Sequence, residues 1–383
     1  MEWWRGAVIY QIYPRSFCDS NNDGIGDLPG IITRLDYIAD LGVDAIWISP
    51  FFKSPMRDFG YDVSDYYAVD LIFGSLEDFD RLLEEAHSRG LRVIIDQVYS
   101  HSSDQCAWFE ESRSSRDNDK ADWYIWADAA ADGGPPNNWQ SVFWGPAWTW
   151  DDHRQQYYMH NFLTEQPDLN LHNPQVLEAL LAVSRFWLDR GVDGFRFDAS
   201  NYFMHDPLLR DNECLNKDGT GLAAGHPDQT IFNESHPHAT RLIRKIRAAM
   251  DDYPGSFSVA EIGGEKQMEN TIAYTTGDDH FNTAYNFVLL ATQELSAQSI
   301  RDELTIWNQL PANHPSWAFS NHDMPRVVSR WGKAGDPPHL ARMLQMLLVS
   351  LKGTVFLYQG EELGLPQSEL PFEKLQDPEA IAN

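Results

Sequence analysis

Four carboxylates stand at the ends of short apolar runs. Asp96 follows Arg92-Val93-Ile94-Ile95, and Asp198 follows Gly194-Phe195-Arg196-Phe197. Glu261 follows Phe257-Ser258-Val259-Ala260, and Asp323 lies just past Trp317-Ala318-Phe319-Ser320, in Asn321-His322-Asp323. Arg196 and Asp198 are two positions apart, so on a strand their side chains share a face. A guanidinium there favours the charged form of the acid, and an ionised carboxylate is what a carboxylate nucleophile requires. Taken alone, the pair reads equally well as a structural ion pair under a sheet. Four acids gathered on one rim are harder to explain that way, because their mutual repulsion costs stability unless a site or a buried cation needs them.

Paired carboxylates accompanied by Arg and His, with no thiol nucleophile and no nucleotide-binding loop, point to glycoside hydrolysis: one carboxylate attacks the anomeric carbon and a second, protonated, acid donates to the leaving oxygen. Metal-assisted hydrolysis is the rival. His101, His160 and His322 could serve as ligands, but no H-E-x-x-H run or close His pair supports them, and each reads more simply as a hydrogen-bonding group. A separate stretch, Asp19-Ser20-Asn21-Asn22-Asp23-Gly24-Ile25-Gly26-Asp27, places Asp19, Asn21, Asp23, Ile25 and Asp27 at alternate positions, with glycines for tight turning. That pattern suits a hard cation such as Ca²⁺ or Mg²⁺ in a structural role; a polar Asx-rich turn with no ion is the alternative. Nothing suggests an organic cofactor.

The elements that must position these groups alternate between strand and helix. Strands are expected at 7–13, 43–48, 92–96, 193–198, 257–261, 280–288, 317–320 and 353–358. Helices are expected at 31–41, from Ser75 to Gly90 with Ser75 and Asp78 as a capping box, from Pro174 to Gly191 after Asn173, and at 238–250, 265–274, 300–309 and 340–351. The last carries Leu340, Met343, Leu344, Leu347 and Leu351 at core spacing. Alternation of this kind implies parallel βαβ units, and about eight strands imply a (β/α)8 TIM barrel with its reactive groups at the C-terminal strand ends. An open doubly wound sheet is the alternative, but no G-x-G-x-x-G follows a strand. The rhythm breaks between 102 and 171, a segment rich in tryptophan with Gly133-Gly134-Pro135-Pro136, which reads as a subdomain inserted after the third strand. The barrel is therefore expected from 1–101 and 172–365, with a tail at 366–383.

Composition narrows the partners. With 29 Lys+Arg against 57 Asp+Glu the formal charge is -28, which argues against nucleic acid or an anionic membrane as a partner. The 43% hydrophobic content belongs to a globular chain. No leader-like start and no membrane-length apolar run is visible. Cys18, Cys106 and Cys214 are far apart and match no metal spacing, so free thiols in a cytoplasmic setting are expected. Oligomeric state is not legible.

These residues resemble glycoside hydrolase family 13, the α-amylase superfamily, over almost the whole chain. Asp96-Gln97-Val98-Tyr99-Ser100-His101 is similar to its first signature, with Ser100 where Asn is usual. Gly194-Phe195-Arg196-Phe197-Asp198, Glu261-Ile262 and Asn321-His322-Asp323 resemble the other three. Gln166-Pro167-Asp168-Leu169-Asn170 and Gln11-Ile12-Tyr13-Pro14-Arg15-Ser16-Phe17 resemble the oligo-1,6-glucosidase and α-glucosidase branch. The resemblance implies Asp198 as nucleophile, Glu261 as general acid/base and Asp323 as a holder of sugar hydroxyls, with retention at the anomeric carbon. It implies that Asp58, Tyr61, His101, Arg196 and His322 contact glucose, and that Phe143 and Phe162 wall the pocket unless they merely pack the insertion. Ala199, after the nucleophile, resembles the maltose-cleaving proteobacterial α-glucosidases, some of which transfer glucose to alcohols and phenols. The expectation is a small-molecule α-glucoside as substrate, α-1,4-linked, with an oligo-1,6-glucosidase, a sucrose isomerase, a trehalose-phosphate hydrolase or an inactive sugar-binding module as alternatives. The family pattern continues past the eighth strand with a last barrel helix and a C-terminal β-sandwich. This chain ends at Asn383, so both are expected to be missing and the eighth strand to leave apolar surface uncovered.

Overall fold

In the computed structural model, residues 2–212, 232–264, 266–310, 313–332, 339–377 and 381 are described. Cys214 lies outside them. Eight strands form one sheet: β1 (Val8–Ile12), β2 (Ala45–Ile48), β3 (Arg92–Gln97), β4 (Gly194–Phe197), β5 (Phe257–Glu261), β6 (Thr283–Tyr285), β7 (Ser316–Ala318) and β8 (Thr354–Tyr358). The order is β6-β5-β4-β3-β2-β1-β8-β7, and every neighbouring pair is parallel. The two ends are linked by side chains: Thr283 Oγ1 donates to the His314 carbonyl (2.7 Å) and Ser316 Oγ to the Ala284 carbonyl (2.5 Å). The sheet is a near-closed (β/α)8 barrel.

Strand alternation builds two cores. Ile9, Ala45, Trp47, Ile94, Phe257, Val259, Tyr285, Ala318 and Phe356 point inward and pack together, with Trp4 among them. The alternate residues, among them Tyr10, Ile46, Ile95, Phe195, Phe197, Val355 and Leu357, pack outward with the helices. The inward register continues upward from Ile94 to Asp96, from Gly194 through Arg196 to Asp198, and from Val259 to Glu261. The polar site is therefore the top layer of the same inward-facing rows that fill the barrel.

Helix Leu76–Ser88 begins with the expected reciprocal cap between Ser75 and Asp78, and helix Pro174–Asp189 begins at Asn173, whose side chain accepts from the Gln175 amide. Three expectations need correction. The helix expected over 31–41 is two pieces, Leu28–Ile32 and Leu35–Asp40; the first starts earlier because Asp27 caps it by accepting from the Gly30 amide. The sixth strand covers only Thr283–Tyr285, and Val288–Ala291 is already helical. In helix His339–Ser350, Leu344 and Leu348 are buried, whereas Met343 is 44% exposed. A short hairpin, Phe52–Lys53 with Asp65–Val69, lies between β2 and β3 and has no counterpart in the sequence reading.

Within 102–171 the chain forms helix Ala107–Ser114 and a three-stranded antiparallel sheet of Trp126–Ala127, Trp148–Asp151 and Gln156–Met159. Beyond β8, Leu363 and Leu365 are exposed, as are Met346 and Val349 on the preceding helix. The eighth strand itself is buried throughout, contrary to the expectation that it would be left uncovered; the exposed apolar side chains lie on the helix before it and the segment after it. Cys18 and Cys106 are free thiols. No helix among the described residues is long and apolar enough to cross a membrane.

Gly194 tests the closeness of β4 and β5. A Cβ there would lie 2.4 Å from the Phe257 carbonyl oxygen. Gly194→Ala should destabilise the fold by ~1–3 kcal/mol through overpacking, read as a lower denaturant midpoint; an unchanged midpoint would contradict the tight β4–β5 contact.

Candidate active site

The buried guanidinium of Arg196 holds three acids from three strands. Its NH1 lies 2.5 Å from Asp96 Oδ1 and 2.6 Å from Asp198 Oδ1, and its NH2 lies 2.6 Å from Glu261 Oε2. Trp47 Nε1 donates to the other Asp96 oxygen at 2.7 Å. Arg196 also lies over the rings of Trp47 and Tyr61, 5.4 and 5.6 Å from their centroids. Burial pushes Asp198 up to about 6 against the pull of Arg196. Burial pushes Glu261 further, to about 7, and the charges of Asp198 and Asp323 add to it. Arg196 does favour the charged form of Asp198, as the sequence implies, but desolvation is the larger influence. Asp96, raised by burial to about 6, sits below the others.

Immediately after Asp198 the chain turns sharply. Ala199 has φ 41° and ψ 47°, a left-handed conformation uncommon for a residue with a Cβ. The turn aims the Ala199 N–H at Glu261 Oε2, 2.9 Å away. The nucleophile candidate and the acid/base candidate are thus linked through both a backbone amide and a shared guanidinium.

A cavity of about 500 Å³ opens above this cluster. Asp58, Tyr61, His101, Phe143, Phe162, Arg196, Asp198, Glu261, His322 and Asp323 all line it. Asp96 does not; it supports Arg196 from below. His322 stacks on Tyr61 (5.7 Å between centroids) and lies 2.6 Å from the Tyr61 hydroxyl and 2.9 Å from Gln11 Nε2. Gln166 Nε2 donates to Asp58 (2.8 Å) and to His101 Nε2 (3.1 Å), leaving Nδ1 to donate to Ser100 Oγ at 2.9 Å. Ser100, at the position where the family pattern has Asn, therefore orients the His101 ring. Burial pushes His101 down to about 3 and Asp58 up to about 7. His160 lies outside the cavity lining; it is buried and bonded to Thr149 and the Phe162 carbonyl.

The sequence reading missed several lining residues. Tyr13, Arg15, Phe59 and Val142 contribute, and so does the tail, from Leu370 and from Lys374 to Asp377; Ala199, singled out in the sequence for its place after Asp198, lines the cavity too. The tail is tied near the site by Gln367, whose side chain accepts from the Arg326 amide (3.1 Å) while its own amide donates to Ser329 Oγ (2.8 Å). Its composition gave no signal for this. The rim it joins carries the apolar side chains of Phe59, Val142, Phe143, Phe162, Leu370 and Leu375 with Arg15, Lys374, Gln376 and Asp377 among them, whereas the floor is an ion cluster.

The loop from Asp19 to Asp27 closes on itself. Asp19 accepts from the amides of Asn21, Asn22 and Gly24, Asn21 Oδ1 from Asp23, and Asp23 Oδ1 from Ile25. Asp27 accepts from Ser20 and Gly30. These amides lower Asp19 below the usual carboxylate range, the Gly24 amide most. The donors are all oxygens, but they are turned onto the loop's own amides, and among the described residues no group of three or more His, Cys, Asp or Glu is placed to hold a metal ion.

Arg196→Met would leave Asp96, Asp198 and Glu261 together without their cation. Removing one partner of a buried ion cluster costs about 3–5 kcal/mol. The repulsion needs ionised carboxylates, so the loss should be largest at neutral pH and shrink in acid, where protonation discharges them. Denaturant unfolding at both pH values reads this, and a pH-independent loss would count against the shared-cation arrangement.

Residues 11–383 match the family described as "Alpha amylase, catalytic domain". A probable alpha-glucosidase of Rhizobium meliloti is 56% identical over 99% of this chain and 71% of its own length. An oligo-1,6-glucosidase of Heyndrickxia coagulans is 40% identical over 98% of this chain and 69% of its own. The crystal structure of an alpha-glucosyl transfer enzyme, 55% identical, superposes with a TM-score of 0.94 over all of this chain and 72% of that one. The chain therefore belongs to the α-amylase catalytic-domain family of glycoside hydrolases.

Proposed function

We propose that the protein is a retaining, exo-acting α-glucosidase that releases terminal α-1,4-linked glucose from maltose and short α-glucosides and can pass that glucose to other acceptors. The observation that carries the reading is the placing of Asp198 and Glu261 on one guanidinium, with Glu261 the weaker acid of the two. Two carboxyls this close suit a covalent glycosyl intermediate, whereas an inverting pair must leave room for a water between them. Burial raises both acids, Asp198 to about 6 and Glu261 to about 7, which supports the following division of roles. The acid that ionises first, Asp198, attacks the anomeric carbon; Glu261 keeps its proton for the leaving oxygen. In the second half, Glu261 takes a proton from the water or acceptor hydroxyl that displaces the sugar from Asp198. Asp323, His322, Asp58 and His101 ring the cavity where the glucose hydroxyls would lie.

Supporting the α-1,4 preference is Ala199 at the lining; supporting transfer are the apolar side chains of the rim, which would accept an alcohol or phenol as readily as water. The similarity to an alpha-glucosyl transfer enzyme points the same way. The relative named oligo-1,6-glucosidase keeps the α-1,6 reading as the second one. One extra or missing methyl at such a position is worth only about 1–3 kcal/mol of discrimination. We also propose that the Asp19–Asp27 loop holds Ca²⁺ or Mg²⁺ through Asp19, Asn21, Asp23, Ile25 and Asp27. The ion would brace the turn after β1 and take no part in the chemistry.

The protein should release glucose from nitrophenyl α-glucoside and from maltose faster than from isomaltose, sucrose or trehalose, and Asp198→Asn should abolish all cleavage. No cleavage of any α-glucoside would overturn the reading. The dependence of kcat/KM on pH should be bell-shaped, rising as Asp198 ionises near about 6 and falling as Glu261 loses its proton near about 7. Glu261→Gln should remove the bell. Chelator treatment should lower the melting temperature and Ca²⁺ should restore it, and Asp23→Ala should erase that response.

A further inference from the structure

Three consecutive residues, Asn233-Glu234-Ser235, reach three different walls of the site. Asn233 Nδ2 donates to Asn161 Oδ1 (2.9 Å), and Asn161 in turn donates to Asp168, so Asn233 ties to the inserted segment. The Ser235 amide donates to the Asn201 carbonyl (2.6 Å), and Ser235 Oγ accepts from Asn270 on helix Gln267–Thr275 (2.8 Å). Between them the buried carboxylate of Glu234 accepts from Asn201 Nδ2 at 2.5 Å.

Asn201 is the point where the two catalytic loops meet. It lies three residues after Asp198, and its Oδ1 accepts the amide of Gly263, two residues after Glu261, at 3.2 Å. An amide side chain that gives its oxygen to one loop has only its NH₂ for another partner. Glu234 takes that NH₂ and so fixes which way Asn201 faces. Glu234 also bonds to Tyr202, which packs on the pocket wall at Phe162, 5.3 Å between ring centroids. Its carboxylate rests against Gly264, where a Cβ would lie 3.0 and 3.1 Å from the two Glu234 oxygens.

We infer that Glu234, acting through Asn201, is a positioning residue that sets the separation of Asp198 and Glu261. It touches neither substrate nor the reacting atoms. The β4–β5 ladder ends at Phe197 and Ala260, and beyond that end the Asn201 clamp joins the strained turn at Ala199 to the loop after Glu261, keeping the Ala199 N–H within reach of Glu261. The inference rests on the glycosidase reading for its kinetic consequence, but the clamp itself does not.

The test is Glu234→Ala beside Glu234→Gln, which keeps a carbonyl oxygen for the Asn201 amide. In Glu234→Ala, kcat on nitrophenyl α-glucoside should fall about tenfold or more, as misplacement of reacting groups does, and KM should change by less than about threefold. The alkaline limb of the pH profile should shift, because Glu261 loses its fixed distance from Asp198. Glu234→Gln should restore kcat to within about threefold and the wild-type limb. Amide hydrogen exchange should rise in 198–203 and in 261–264 together in Glu234→Ala, and remain at wild-type rates in helix Pro174–Asp189. An unchanged kcat, an unshifted limb, or faster exchange confined to 232–236 would overturn the inference. Asn201→Ala removes the clamp from its other end and gives the same readings should Glu234→Ala not fold. If the wild type cleaves no glucoside yet exchange rises in both segments, the glycosidase reading fails and the clamp stands.

Discussion

One cation shared among three buried acids is the constraint on which the rest of the molecule depends. Arg196 cannot be discharged at any accessible pH, and Asp96, Asp198 and Glu261 cannot all be ionised in a dry barrel without it. Each acid comes from a different strand, so the ion cluster is also a fastener across β3, β4 and β5. Trp47 on β2 completes it by donating to Asp96. Burial raises the proton affinity of all three acids while the guanidinium opposes it.

The barrel supplies the geometry by simple periodicity. Every inward residue from Ile9 to Phe356 belongs to a row with a two-residue repeat, and the site is the row in which apolar side chains give way to charged ones. This explains why the cluster can be so dry on its underside and wet above. Below it lie Trp47, Ile94 and Val259, and above it the cavity opens. The walls are built differently. They come from the hairpin after β2, the inserted segment, the turn after Asp198 and the tail beyond β8, held to one another mainly by side-chain amides and carboxylates such as Asn161, Asn233, Glu234 and Gln367.

The division between an ion-clustered floor and a rim of mixed apolar and charged side chains follows from that difference. Floor residues are held by strands and share an ion cluster. Rim residues sit on loops whose sequence can change without disturbing it. In a family whose relatives carry several different names, this is where selectivity can vary at little cost to the fold.

The sequence by itself determined the parts with a period or a spacing. Strand alternation, the Ser75–Asp78 cap, the Asn173-Pro174 start and the acids at strand ends were all legible, because local stereochemistry fixes them. It also placed ten lining residues through their motifs, although the motif spacing alone could not say that Asp96 would sink beneath Arg196. Tertiary structure decided what depends on long-range contacts. It started the helix earlier, where Asp27 caps it, split it after Ile32, and exposed Met343 where helical spacing predicted burial. It brought Leu370 and Asp377 to the mouth of a cavity whose floor lies more than a hundred residues earlier in the chain. No local pattern encodes that last meeting, since Gln367 finds Ser329 and Arg326 only once β7 and β8 are side by side. The raised proton affinity of both Asp198 and Glu261 belongs to the same class: burial causes it, and burial exists only in the folded barrel.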